Sequence, residues 1–376
     1  MGQKETVKTV KKYFTFGQTI EDRIELESGR KFGPVTVAYE TYGKLNKKKD
    51  NVILIQHTLT MDSHAAGFYE NGEKAGWWDG LIGPGKAFDT DKYFVICSNV
   101  FGGCSGSTGP SSPDPETGEP YGAGFPFFTV KDIVAIQRKL LHSLKIYRLF
   151  CVAGGSMGGM IALQWAADFP AEISSVIPIA TAWKQSPMQI AFSEIGRQSI
   201  IKDPKWNGGN YYNSEKPDTG LMLARMIGHI TYMSDSSMEK KFARNLKNGK
   251  LSFSFGTDFE VENYLHYRGE SFVDRFDANS FLYISRALNY FDVSEDKLTR
   301  GFAGINIKFL VVSFESDWLY PARQSEDMVL HLMSRNIDTS YCRIPSSYGH
   351  DAFLLEINEE SKLIKNFLDR IKNEEL

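Results

Sequence analysis

The sequence has no long uninterrupted apolar run. No window of the 376-residue chain approaches the roughly eighteen consecutive apolar residues that a membrane-spanning helix needs. Residues 1–8 are polar and lack the apolar stretch of a secretory signal. We therefore expect neither a membrane helix nor export, and we expect the protein in the cytoplasm.

An excess of charge of either sign is also missing. The chain carries 43 lysines and arginines against 46 aspartates and glutamates, which gives a formal net charge of -3 at pH 7. A nucleic-acid-binding surface usually shows itself as a basic excess. The composition therefore gives no reason to expect nucleic acid as a partner.

Cysteine is scarce, and the four that occur are scattered. None of Cys97, Cys104, Cys151 and Cys342 belongs to the close pairs that are typical of zinc ligands, and Cys97 and Cys151 lie inside apolar runs. Such thiols in a cytosolic protein are usually reduced. The sequence predicts neither a disulfide framework nor a metal site.

What the chain does contain is an alternation of strand-like and helix-like segments. With 42% hydrophobic residues it can bury one large core with an insertion, or two domains. Strands are predicted at residues 52–56, 93–98, 149–153, 175–179, 307–313 and 340–344. Helices are predicted at residues 130–144, 157–167, 323–335 and 359–370. This order is typical of an α/β fold, a mostly parallel sheet with helices on both faces.

The alternation stops between residues 183 and 296, where helical patterns dominate. They cover residues 189–200, 220–231, 235–245 and 277–290. We interpret this segment as a mainly helical lid inserted into a core made of residues 1–182 and 297–376. An independent second domain with the same boundaries would produce the same pattern, so the sequence leaves both interpretations open.

A glycine-rich turn marks the candidate nucleophile. Residues 153–159 read Ala-Gly-Gly-Ser-Met-Gly-Gly, which places a G-x-S-x-G pattern between a predicted strand and a predicted helix. Ser156 would then lie on a sharp, strained turn, where the neighbouring glycines remove side chains that would collide with the strand and helix. Because both flanks fit, we predict that Ser156 is a nucleophile.

A serine nucleophile needs a base and an acid that orients the base. In this sheet architecture both follow the serine, the acid first, in loops after late strands. Asp317 follows one predicted strand and His350 follows the next, which is the expected order. Glu315 is the main rival to Asp317. The rivals to His350 are His57, His64, His229 and His266.

The oxyanion of an acyl-transfer intermediate needs two N–H donors. We predict the backbone N–H of Met157, the residue after the nucleophile, and that of Leu59, in the loop after the strand at residues 52–56. Asp351 is adjacent to His350 and therefore poorly placed to orient its ring. We assign Asp351 to substrate binding.

Motifs along most of the chain resemble those of the homoserine O-acetyltransferases, acyltransferases of methionine biosynthesis with the α/β-hydrolase fold. The matching segments are residues 38–43, 76–79, 83–90, 98–100, 102–110, 153–160, 189–192, 224–232, 272–280, 316–321 and 349–355. The resemblance implies an α/β-hydrolase fold with a helical lid. It also implies that Ser156, Asp317 and His350 are nucleophile, acid and base, in agreement with their order in the chain.

The resemblance implies residues for the substrates as well. Arg225 would hold the carboxylate of L-homoserine and Asp351 its ammonium group, while Tyr232 would add a hydroxyl to the same pocket. Alternatively, Arg225 forms a salt bridge between lid and core. Leu319 indicates an acetyl donor, because succinyl-using relatives tend to carry arginine there. Met61 stands where the family usually has glycine, so its bulk could narrow the acyl pocket or strain the loop.

The implied reaction is a ping-pong transfer of an acetyl group from acetyl-CoA to the γ-hydroxyl of L-homoserine through an acetyl-serine. Its products are O-acetyl-L-homoserine and CoA; acetyl-CoA is a co-substrate, and no cofactor or metal is implied. The resemblance also implies a homodimer that forms through helices of the insertion. The alternatives are a homoserine O-succinyltransferase, a serine O-acyltransferase, a serine esterase, or a binding module that has kept the fold.

Overall fold

A sheet of eight strands forms the centre of the part of the chain that the computed structural model describes, residues 9–69 and 74–374. In chain order the strands are β1 (Lys12–Phe16), β2 (Val35–Tyr42), β3 (Val52–Gln56), β4 (Phe94–Ser98), β5 (Cys151–Gly155), β6 (Ser175–Ile179), β7 (Lys308–Phe314) and β8 (Asp338–Ile344). In space their order is β1-β2-β4-β3-β5-β6-β7-β8. The β1–β2 and β2–β4 pairs are antiparallel and the other neighbours are parallel. The predicted mostly parallel sheet is confirmed.

Helices surround this sheet. They are α1 (Val130–Ser143), α2 (Met157–Asp168), α3 (Pro187–Ile201), α4 (Asp218–Tyr232), α5 (Asp235–Phe242), α6 (Glu260–Val273), α7 (Ala278–Tyr290), α8 (Asp296–Thr299), α9 (Ala322–Ser334), α10 (Ala352–Leu355) and α11 (Ile357–Glu374). Short 3-10 helices lie at Ile20–Asp22, Gly122–Gly124, Pro170–Glu172, Pro204–Gly209 and Gly349–Asp351. Two small strand pairs are Ile24–Glu25 with Lys31–Phe32 and Ile82–Gly83 with Phe88–Asp89.

Both faces of the sheet are covered, and the alternation along β3 shows how. Successive side chains of a strand point to opposite faces. Val52 and Leu54 accordingly join residues of α1 and α2 in one core cluster, whereas Ile53 and Ile55 join residues of α11 in another. Burial on both faces explains why the parallel strands are almost continuously apolar.

The predicted strands at residues 52–56 and 175–179 coincide with β3 and β6. The strand predicted at residues 149–153 is displaced by two residues, because β5 also contains the two glycines that precede Ser156. The remaining predicted strands differ from the observed ones by one or two residues. The sequence pattern predicts neither β1 nor β2. β1 is an edge strand whose residues are mostly exposed and whose apolar periodicity is therefore weak, and β2 mixes its apolar residues with threonine and glutamate.

The segment between β6 and β7 is helical, as predicted, and contains α3 to α8. Its helices share a small apolar cluster that includes Ile200, Leu221 and Phe272. The sequence pattern does not predict α6, because Gly269 and Phe272 are the buried residues of that helix and they give no clear helical period. The lid boundaries at residues 183 and 296 stay a prediction.

The four cysteines are free thiols, and Cys97 and Cys151 are buried, as the apolar runs around them indicated. No helix within the described ranges is long and apolar enough to cross a membrane. Among the same residues, no group of histidine, cysteine, aspartate and glutamate side chains is placed to hold a metal ion.

Candidate active site

Ser156 lies on a strained turn between β5 and α2. Its backbone has φ 56° and ψ -123°, a region that non-glycine residues rarely adopt. The glycines two residues before and after it are required sterically. A Cβ on Gly154 would lie 2.8 Å from Cβ of Gln56, and one on Gly158 would lie 2.2 Å from the carbonyl oxygen of Gln56. The close packing of the turn against β3 therefore holds the Ser156 hydroxyl in place at the sheet edge.

His350 and Asp317 complete a hydrogen-bonded relay with this serine. Nε2 of His350 is 2.9 Å from Oγ of Ser156, and Nδ1 of His350 is 2.8 Å from Oδ2 of Asp317. The other carboxylate oxygen, Oδ1, accepts the backbone N–H groups of Leu319 at 3.0 Å and Tyr320 at 2.9 Å. An Nδ1–H that donates to the carboxylate leaves the Nε2 lone pair facing the serine. The structure thus brings together the three residues predicted as a triad.

The rival acid and one rival base have other partners. The side chain of Glu315 is 58% exposed and pairs with Arg343 at 3.4 Å, whereas that of Asp317 is 0% exposed. His57 is buried, with Nδ1 2.7 Å from the carbonyl oxygen of Thr58 and Nε2 accepting the N–H of Val100 at 3.0 Å. Burial lowers the pKa of His57, so its ring is neutral. The geometry gives these two residues structural roles.

His64 belongs to a buried network around Glu40. Glu40 accepts hydrogen bonds from Thr9 at 2.9 Å, Tyr42 at 3.1 Å and Tyr69 at 2.6 Å, and His64 Nδ1 lies 3.0 Å from its carboxylate. Burial opposes ionisation of Glu40, but these hydrogen bonds lower its pKa. Burial likewise opposes protonation of His64, yet the Glu40 carboxylate raises the pKa of that histidine. The network anchors the loop after β3.

That loop carries one of the two predicted oxyanion donors. Leu59 and Met157 both line a cavity with Ser156. Met157 is the first residue of α2, so its N–H has no acceptor within the helix. The N–H of Leu59 has no acceptor among the described residues. Two unengaged N–H groups beside a nucleophile suit the binding of an oxyanion.

Two cavities meet at Ser156. The larger cavity, about 190 Å³, is bounded by the loop of residues 58–61, by His350 and by side chains of α4 and α6. The smaller cavity, about 90 Å³, is bounded by side chains of α3, α4 and α7 and by the loop that follows β7. The site predicted at the C-terminal edge of the sheet therefore has two compartments.

The larger cavity contains the predicted substrate-binding residues. Arg225 approaches Thr60, with Nη1 3.4 Å from Oγ1, and its buried Nε has no partner in the described part of the chain. Burial raises the pKa of Asp351, while the positive charges of Arg225 and Arg268 oppose that shift. Neither Arg225 nor Asp351 forms an ion pair with another described residue. In place of the salt bridge considered as an alternative, the contact of Arg225 with the core is the one to the Thr60 hydroxyl.

Sequence reasoning missed Tyr264 and Arg268 as residues of this cavity and named His229 only as a rival base. Tyr264 and Arg268 come from α6, the helix that the pattern does not predict. His229 Nδ1 lies 3.2 Å from the Tyr264 hydroxyl, and burial together with Arg225 lowers the pKa of His229 to about 3. His229 follows Arg225 by four residues and precedes Tyr232 by three on α4, so the three share one helix face. That spacing is the signal that could have identified His229 from Arg225.

The two residues predicted to affect acyl choice lie in different compartments. Leu319 lines the smaller cavity, and its carbonyl oxygen accepts a hydrogen bond from Gln189 at 2.6 Å. Met61 lines the larger cavity. Met61 does not have a positive φ, so the condition under which its backbone would be strained is not met. It shares that cavity with Arg225 and Asp351.

Comparison with known proteins places this site in a family. The sequence model of the alpha/beta hydrolase fold matches residues 51–357. A homoserine O-acetyltransferase of Methanosalsum zhilinae is 54% identical over 354 residues, which are 94% of this chain and 72% of the relative. A homoserine O-acetyltransferase of Deferribacter desulfuricans is 53% identical over 369 residues, covering 96% of each chain.

Solved structures agree with these sequence relatives. Homoserine O-acetyltransferase from Bacillus anthracis has 33% identity and a TM-score of 0.88, covering 96% of this chain and 97% of its own. Esterase E22 is also similar, with 31% identity and a TM-score of 0.87 over 96% of this chain and 100% of its own. The predicted α/β-hydrolase fold is confirmed. With relatives of this identity and coverage, the chain belongs to the homoserine O-acetyltransferase family.

Proposed function

We propose that this enzyme transfers an acetyl group from acetyl-CoA to the γ-hydroxyl of L-homoserine, giving O-acetyl-L-homoserine and CoA for methionine biosynthesis. The observation that carries the proposal is the Ser156–His350–Asp317 relay, which opens into a cavity that also contains Arg225 and Asp351. The relay supports acyl transfer. The unpaired cation and carboxylate suit a small zwitterionic acceptor.

In the first half-reaction His350 takes the proton of Ser156 as Oγ attacks the thioester carbon of acetyl-CoA. The N–H groups of Leu59 and Met157 stabilise the oxyanion, and one such donor is worth roughly 3–4 kcal/mol in comparable enzymes. The carbon–sulfur bond then breaks, and His350 returns the proton to the CoA sulfur. The product is an acetyl ester on Ser156.

In the second half-reaction L-homoserine takes the place of CoA. The guanidinium of Arg225 holds its carboxylate through charge-assisted hydrogen bonds, and Asp351 holds its ammonium group. Tyr232 supplies a hydroxyl to the same cavity. His350 takes the proton of the γ-hydroxyl, whose oxygen attacks the acetyl ester, and returns that proton to Ser156 as the ester bond breaks. Positioning by Arg225 and Asp351 favours homoserine over water.

Steady-state kinetics test the two-step route. Initial rates measured at several concentrations of acetyl-CoA and L-homoserine should give parallel lines in double-reciprocal plots, because CoA leaves before homoserine reacts. The matched control is Ser156→Ala, which should abolish the transfer. Lines that converge would overturn the acyl-enzyme route.

A serine esterase is the second candidate, and the likeness to esterase E22 supports considering it. The triad alone does not distinguish water from an alcohol as acyl acceptor. Release of CoA from acetyl-CoA should therefore be compared with and without L-homoserine. Strong stimulation by homoserine supports the transferase, and equal release without it would favour the esterase.

The lid helices support the further proposal of a homodimer. Met188 and Ile195 on α3, Leu223 and Ile230 on α4, and Tyr267 on α6 are exposed apolar or aromatic residues. A surface of this kind is commonly covered by another protein. Light scattering should give twice the chain mass, and Leu223→Asp should shift it toward the mass of one chain. A single-chain mass for the unaltered protein would contradict the proposal.

A further inference from the structure

The two cavities at Ser156 differ in their access to the base. Among the described residues, His350 lines only the larger cavity, whereas the smaller cavity is lined by Ser156 and by both candidate oxyanion donors, Leu59 and Met157. Leu319 also lies in the wall of the smaller cavity. The two compartments therefore offer different environments to the groups attached to the reacting carbon.

The chemistry of acyl transfer assigns these groups. His350 must give a proton to the departing sulfur and take one from the incoming hydroxyl, so both atoms have to lie beside Nε2, in the larger cavity. The oxyanion lies at the N–H groups of Leu59 and Met157. The remaining substituent of the carbonyl carbon is the alkyl part of the acyl group. We infer that this alkyl part enters the smaller cavity, an inference that rests on the proposed acyl transfer.

The size of the smaller cavity sets the range of acyl groups. Its volume is about 90 Å³. A single water, which is about as large as a methyl group, fills roughly 10–15 Å³. The methyl of an acetyl group would therefore leave most of the space unfilled. The enzyme accepts straight acyl groups of up to about four carbons, propionyl and butyryl as well as acetyl.

The lining of the smaller cavity also sets the charge of the acyl group. No aspartate, glutamate, lysine or arginine is found among the described residues that line it. The side-chain amide oxygen Oε1 of Gln185 in this wall is buried without a hydrogen-bond partner in the described part of the chain, while its Nε2 donates to the Tyr320 hydroxyl at 3.2 Å. A carboxylate placed here would lose its hydration without gaining a cation. Succinyl groups are therefore disfavoured.

Gly196 is the residue that keeps this space open. It lies on α3 in the cavity wall, and a Cβ built on it would come 3.3 Å from two ring atoms of Phe281 and 3.6 Å from Cβ of Ala224. An added methyl would narrow the gap between α3 and α7. The backbone of Gly196 does not have a positive φ, so alanine suits the helix backbone, while the Phe281 ring has to shift by a few tenths of an ångström. Gly196 thus determines acyl length.

The balanced reaction is the same for each donor. Ser156 Oγ forms a bond to the thioester carbon, the carbon–sulfur bond breaks, and the proton of Ser156 reaches sulfur through His350. The homoserine oxygen then bonds to the acyl carbon, the bond to Oγ breaks, and the proton of homoserine returns to Ser156. Butyryl-CoA would accordingly give O-butyryl-L-homoserine and CoA.

The test compares kcat/KM for acetyl-, propionyl-, butyryl- and succinyl-CoA at saturating L-homoserine, with products identified by mass spectrometry. The unaltered enzyme should use butyryl-CoA within about tenfold of acetyl-CoA, and succinyl-CoA far less. Gly196→Ala should lower kcat/KM for butyryl-CoA at least about tenfold more than for acetyl-CoA. The KM of L-homoserine should stay unchanged, and Gln198→Ala, on the exposed face of the same helix, should behave as the unaltered enzyme.

Two results would overturn the inference while the proposed function stands. One is the use of acetyl-CoA without any use of propionyl- or butyryl-CoA. The other is a Gly196→Ala variant that loses activity equally with all donors or that changes the KM of L-homoserine. Failure with acetyl-CoA itself would overturn the proposed function, and the inference would fall with it.

Discussion

At the scale of single residues, the two carboxylate oxygens of Asp317 have different tasks. Oδ1 is held by two backbone N–H groups, and Oδ2 lies 2.8 Å from His350 Nδ1. Asp317→Asn keeps the shape but holds the imidazole in the wrong tautomer, so kcat should fall about 10⁴-fold. The measurement is the rate of CoA release with saturating L-homoserine. Glu315→Gln is the control and should remain near full activity; an equal loss in both variants would contradict the assignment.

Arg225 can be tested separately from the triad, because it touches only the acceptor in the proposed route. Arg225→Lys keeps the charge but loses the planar fork that matches a carboxylate. The KM of L-homoserine should rise roughly 10- to 100-fold, while CoA release in the first turnover without homoserine should be unchanged. Arg244→Lys, an exposed lid arginine, should change neither quantity. A slower first turnover in Arg225→Lys would show that Arg225 acts on the donor instead.

At the scale of elements, predictability followed the strength of the apolar pattern. The buried strands β3 and β6 and the loops that carry Asp317 and His350 could be predicted, since parallel strands are apolar on both faces. Helix α6 could not, because few of its residues are buried, and Tyr264 and Arg268 were missed with it. Their place in the cavity results from the packing of α6 against α4, which no local pattern contains.

The buried carboxylate of Glu40 was missed for a different reason, since a glutamate in a strand usually faces solvent.

Glu40→Gln should destabilise the fold by about 3–5 kcal/mol and lower kcat, because Gln cannot accept every hydrogen bond of the network that anchors the Leu59 loop. Stability should be measured by urea unfolding. The conservative variant Tyr69→Phe removes one hydrogen-bond donor to Glu40 and should lower the unfolding free energy by less than Glu40→Gln does.

The same network predicts a pH dependence. The pKa of Glu40 is lowered, so its contribution is complete above about pH 4.5 and is lost as the pH falls. The pKa of His64 is raised, so its contribution is complete below about pH 6.5 and is lost as the pH rises. The difference in unfolding free energy between the wild type and Glu40→Gln should be greatest between these values. A difference that does not vary with pH would contradict this origin.

Helix α11 contains a buried carboxylate that, unlike that of Glu40, lacks hydrogen bonds. Glu360 is fully buried, and neither of its carboxylate oxygens has a hydrogen-bond partner among the described residues. Burial, and to a lesser extent the nearby charge of Glu356, raise the pKa of Glu360 well above 4.5. The protein therefore loses stability as the pH rises from 4.5 through the pKa of the folded state. Glu360→Gln should raise the unfolding free energy at neutral pH and change it little near pH 4.5. A less stable variant at neutral pH would contradict this account.

At the scale of the whole molecule, residues from distant parts of the chain meet at one edge of the sheet. In the proposed reaction the carbonyl carbon of the acyl group lies among them. The order of Ser156, Asp317 and His350 was predictable, because it follows from where successive parallel strands end. The division of the site into two compartments was not, since it depends on how α3, α4 and α7 pack over that edge. Of the two cavities, His350 lines the larger one, so in the proposed route donor and acceptor occupy that cavity in turn.

The central claim is that Ser156 carries the acetyl group between the two substrates. Intact-protein mass spectrometry after mixing with acetyl-CoA, followed by peptide mapping, should show one acetyl group on Ser156 and none in Ser156→Ala. Addition of L-homoserine should remove that group and yield O-acetyl-L-homoserine. An unmodified Ser156 in an enzyme that still forms O-acetyl-L-homoserine, or an acetyl group that homoserine does not remove, would contradict the account.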